Sequence, residues 1–67
     1  MSPDAIDLCR WLQNQNRRGF MSLAEFFEPG TPHRRGWEAL KELEESGLVN
    51  ASYDGGTELA GLQASLR

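Results

Sequence analysis

A chain of 67 residues has room for one domain, spanning 1–67, and little more. Seven basic residues against ten acidic ones give a net charge of −3 and a pI near 4.9, which excludes a polyanion binder that works by bulk charge. With one cysteine, Cys9, and one histidine, His33, there is no internal disulfide and only a poor metal set, so no cofactor is expected and packing must hold the fold.

The first predicted element is a helix over "SPDAIDLCRWLQNQNRRG". Ser2 caps it, Pro3 suits its first position and Asp4 its first turn. Ala5, Leu8, Cys9 and Leu12 share one face at 100° per residue, while Asp7, Arg10 and Asn14 lie opposite. Arg17 and Arg18 fall where a helix end favours cations, and Gly19 can supply a left-handed closing residue. Phosphate contact is a second use for the two arginines.

"FM" then bridges to a second predicted helix, "SLAEFF". Ser22 and Glu25 have the spacing of a capping box, and Leu23, Phe26 and Phe27 give it an apolar side. Pro29 and Gly30 end it. Thr31 caps a third helix with Pro32 at its first position, and Gly36, Ala39, Leu40, Leu43 and Gly47 form its buried stripe. Beyond Gly47 the texture changes. "LVNASYD" and "TELAGL" read as two short strands around a Gly55-Gly56 turn, with Val49, Ala51 and Tyr53 alternating against Asn50 and Ser52. "QASLR" reads as a frayed end or a last turn.

The charges of the third helix run against its own dipole. His33, Arg34 and Arg35 crowd the amino end, where acids are favoured, and Glu42, Glu44 and Glu45 crowd the carboxyl end. One reading is an anion site. Free N–H groups at a helix start attract anions, added cations deepen the well, and Arg34 and Lys41 project from one outward face. The other reading is a solvated face in which Glu38 pairs with Arg34 and Arg35.

The order of elements and the segment "ALKELEESGLV", Ala39 to Val49, resemble the winged helix-turn-helix family of bacterial transcription regulators. Leu43, then Glu44-Glu45-Ser46, Gly47 and Leu48-Val49 reproduce a leucine, three mostly charged residues, a glycine and two apolar residues. The segment Phe20 to Leu40 resembles the family's bridge, second helix, turn and third helix. The resemblance implies a mainly α fold of three helices with a small β-hairpin. It also implies double-stranded DNA as partner, with the third helix in the major groove. Thr31, His33, Arg34, Arg35, Trp37 and Lys41 are then the candidate DNA-binding residues, with Arg17 and Arg18 on the backbone. Regulation of transcription, by a homodimer or with a protein partner, is the corresponding role. Winged helices also serve as protein–protein adaptors, and the acidic balance, Trp11 and Trp37 favour that alternative.

Catalysis is not expected. No Ser, Cys or carboxylate is spaced to form a triad with His33, and Gly55-Gly56 lacks the lysine of a phosphate loop. No run approaches the roughly 20 apolar residues of a membrane span. "MSPDAIDLCR" shows no export signal, so the cytoplasm is the expected compartment.

Overall fold

The computed structural model describes residues 1–67. Helix α1 runs Pro3–Asn14, a two-residue strand β1 covers Met21–Ser22, and a single 3₁₀ turn covers Leu23–Glu25. Helix α2 runs His33–Glu45, strand β2 Val49–Tyr53, a second 3₁₀ turn Leu59–Gly61, and strand β3 Leu62–Leu66. The strands form one antiparallel sheet in the order β1-β3-β2, with Met21 opposite Ala64 and Ala51 opposite Ala64 on the other side.

Two expectations are corrected here. The fold is not a three-helix winged helix: it has two α-helices on a three-stranded sheet. The segment predicted as the second helix makes only a 3₁₀ turn. Ser22 is held in β1, and Pro29 bars helix beyond Glu28, so too few residues remain to offset helix nucleation. Ser22 Oγ accepts from the Ala24 N–H at 3.1 Å, and the carbonyl of Leu23 accepts from both Phe26 and Phe27 N–H at 3.0 Å. This turns Phe27 into the core, where it is 8% exposed. The second correction concerns "QASLR", which is no frayed end. Leu62, Ala64 and Leu66 belong to β3, the central strand, and Leu62 and Ala64 are fully buried. "TELAG" instead forms the connection, with the second 3₁₀ turn.

The helix ends also shift. α1 stops at Asn14, because beyond Leu12 no apolar residue remains to bury on that face. The Gln15 side chain donates to the Trp11 carbonyl at 3.2 Å, and its N–H to Leu12. Arg17 and Arg18 therefore lie in the following loop, where Gly19 adopts φ +88°. α2 starts at His33, with Pro32 as the preceding cap residue and no side-chain cap. Thr31 Oγ1 donates instead to the Glu28 carbonyl at 2.6 Å, closing the "EPGT" turn. The carboxyl end of α2 closes on Gly47, at φ +76°.

The core joins Ala5, Leu8 and Leu12 of α1 to Ala39, Leu40 and Leu43 of α2, and both to Met21, Val49, Leu62 and Ala64 of the sheet. The predicted stripes of both helices are the buried ones, except that Cys9 is only half-buried and Gly47 is exposed. No helix is long and apolar enough to cross a membrane.

Candidate functional site: the outward side of helix α2

α2 carries three basic residues and four glutamates along about 20 Å of helix. The amino end of α1 abuts the middle of α2, and this crossing decides where the charges go. Arg35 Nε donates to Asp4 Oδ2 at 2.7 Å and its Nη2 to Oδ1 at 2.9 Å, a bidentate pair between the first turns of the two helices. The guanidinium hydrogen bond holds the Asp4 carboxyl below the usual range, against the opposing effect of partial burial, and Asp4 raises Arg35 in turn. The guanidinium also lies 5.8 Å from the Phe27 ring centroid.

Further along α2, a carboxylate oxygen of Glu42 accepts from the backbone N–H of Ser2 at 2.8 Å. The negative charge that opposes α2's own dipole is thereby placed at the amino end of α1, where a helix favours it. Glu44 accepts from the Tyr53 hydroxyl at 2.9 Å. Burial first, then this hydrogen bond and the charges of Glu44 and Glu45, push the Tyr53 phenol well above its ordinary value. A raised phenol pKa means that its contribution to stability is complete below the unfolded value near 10 and is lost as pH climbs through the folded one.

The remaining candidates are dispersed. Arg34 is 86% exposed and sits 3.7 Å from Glu38, beyond hydrogen-bond reach. The Nε2 atom of His33 is shielded from solvent without a hydrogen-bond partner. Lys41 Nζ lies 3.9 Å from Glu44 and 5.7 and 5.6 Å from the Trp37 and Tyr53 ring centroids. Trp37 is 40% exposed, its ring 6.2 Å from that of Tyr53. Arg17 is paired with Glu25 at 2.6 Å. Arg18 has no carboxylate partner and lines a shallow notch with Leu12, Met21 and Leu66.

The structure thus brings together Trp37 and Lys41 and adds Tyr53, while His33, Arg34 and Arg35 occupy the first turn of the helix and Thr31 the turn that precedes it. Sequence reasoning did not single out Asp4, Glu42, Glu44 or Tyr53 as partners. The alternation of β2 placed Tyr53 on the core face, but no local spacing links Asp4 to Arg35.

No protein-family model, characterised protein or solved structure matches the chain. Function therefore rests on the geometry alone.

The Asp4–Arg35 pair makes a pH prediction. Asp4 is depressed in the folded state, so its contribution is present above the unfolded carboxyl value near 3.9 and fades as pH falls through the folded one. Asp4→Asn should lower the melting temperature modestly at pH 7, and the gap to the parent should close in strong acid. Melting curves at pH 7 and pH 2.5 measure it; an equal gap at both would mean that the pair contributes nothing.

Proposed function

We propose that the protein acts as a protein-docking module through the Trp37–Lys41–Tyr53 face, rather than as an enzyme or a nucleic-acid clamp. The observation that carries this reading is the internal use of α2's charges. Arg35 is closed onto Asp4, Glu42 onto the amino end of α1, and Glu44 onto Tyr53. Three of the charges whose order suggested an anion site, Arg35, Glu42 and Glu44, are thus met within the fold. What α2 leaves outward beside Tyr53 is a partly exposed tryptophan with a lysine over both rings, an amphipathic surface of the kind found at interfaces. The half-buried free thiol of Cys9 fits a reducing compartment such as the cytoplasm.

A second reading, DNA binding in the regulation of transcription, is favoured by one observation: Arg34 is almost fully exposed beside an uncapped helix start. Against it, α2 as a whole is one charge negative, which leaves few phosphates to neutralise.

Titrating the labelled protein with a short random duplex separates the two readings by NMR. At low salt the docking reading expects no cluster of shifts across residues 31–41. A cluster there that fades as salt is raised would transfer the function to nucleic acid.

A further inference from the structure

Two backbone hydrogen bonds bracket the β2–β3 hairpin: Arg67 N–H to the Leu48 carbonyl at 3.2 Å, and Asp54 N–H to the Gly61 carbonyl at 2.9 Å. Backbone groups alternate sides along a strand, so Leu48, Asn50, Ser52 and Asp54 address β3. Val49, Ala51 and Tyr53 address the opposite side, and β2 is an edge of the sheet. Val49 is fully covered, whereas Ala51 and Tyr53 are only half-buried. Three of the usual protections of an edge are absent from the strand. "VNASY" contains no charge and no proline, and its pairing with β3 is unbroken by a bulge.

We propose that the occupant of the docking face is a second copy of this chain, paired antiparallel along β2 with Ser52 opposite Ser52 on a two-fold axis. In that register Ala51 of each copy faces Tyr53 of the other, and each such pair exchanges two N–H···O bonds without using the covered Val49. The charges agree with the register. Asn50 comes opposite the second copy's Asp54, and Arg67 already lies against Asn50, its Nε donating to Oδ1 at 3.1 Å. The guanidinium therefore sits beside the incoming carboxylate, on the same face of the sheet, once at each end of the joint. On the other face the Tyr53 ring comes over a small alanine, and Trp37 beside it loses solvent.

This inference rests on the docking reading, but its failure shows differently: a monomer overturns the pairing, whereas salt-sensitive duplex shifts overturn the docking reading. Sedimentation equilibrium from about 10 μM to about 1 mM should show the mass rising from 7.5 kDa towards twice that value. Over the same range the amides of Ala51 and Tyr53 should gain exchange protection. Ala51→Pro removes an N–H with no partner inside the chain, and should weaken association at least about tenfold while keeping the far-UV spectrum of the parent. Asp54→Arg should also weaken it, and Asp54→Arg with Arg67→Asp should restore it. If Ala51→Pro fails to fold, the charge exchange decides. A single 7.5 kDa species throughout, a dimer undiminished by Ala51→Pro, or no recovery in the exchanged double variant would overturn the pairing.

Discussion

Leu43→Ala should destabilise the protein by about 2–5 kcal/mol and lower its urea midpoint in proportion. Leu43 is fully buried on α2, in the cluster that joins both helices to the sheet. Removing its side chain forfeits transfer energy and leaves a cavity, together about 2–5 kcal/mol. A domain of this length has roughly 3–10 kcal/mol in all, and this one has no disulfide to add to it. Leu48→Ala is the matched control. Leu48 is 41% exposed, so its loss should change stability by about 0.5 kcal/mol or less. Urea titrations followed by circular dichroism compare the two. A Leu43→Ala curve with the parent's midpoint would mean that Leu43 is not part of the core.

Gly36→Leu should cost about 1–3 kcal/mol, although it places a good helix former in a helix. Gly36 is buried under the connection between β2 and β3. A Cβ there would lie 2.5 Å from Leu59 Cδ2, 3.4 Å from Leu62 Cδ1 and 3.5 Å from Phe27 Cε2. Alanine can be met by a swing of the Leu59 side chain, and the roughly 1 kcal/mol gained in helix propensity offsets that shift. Gly36→Ala should therefore fall within about 1 kcal/mol of the parent. Leucine needs the second 3₁₀ turn to move as a unit. The chemical shifts of Leu59–Leu62 should then change more than those of α1. Parental stability in the leucine variant would show that the close approach is not real.

The glycine illustrates how far sequence reading reaches. Periodicity placed Gly36 on the buried stripe but said nothing of what lies against it. Its nearest neighbour is the Leu59 side chain of the hairpin connection, which no local spacing announces. "QASLR" misled for a different reason. A strand of alternating small and apolar residues carries little local signal, and Leu62 and Ala64 are defined by what covers them. Ser2, Pro3 and Asp4 did mark the start of α1, since Ser2 Oγ accepts from Ala5 N–H at 3.3 Å. Capping and helical period act within a few residues, so local order records them.

The candidate site was legible only as a list of residue types. Trp37 and Lys41 lie four apart on one helix, and their approach follows from that spacing. Tyr53 joins them because β2 runs beneath α2, which no spacing announces. The clearest case is the reversed charge order of α2. Against its own dipole it is a cost, and the sequence offers no closer object to set it against. Once α1 crosses α2, Glu42 meets the amino end of another helix and Arg35 meets Asp4, 31 residues away along the chain.

By itself, then, the sequence determined which faces of α1 and α2 are apolar, where both helices begin to within two residues, and the net acidity, since these depend on neighbours in the chain. The packing of α1 across α2, the promotion of the last residues to the central strand and the internal pairing of α2's charges were decided by tertiary structure alone. Coulomb and hydrogen-bond energies depend on distance in space, and the contacts that set those distances join residues far apart in the chain.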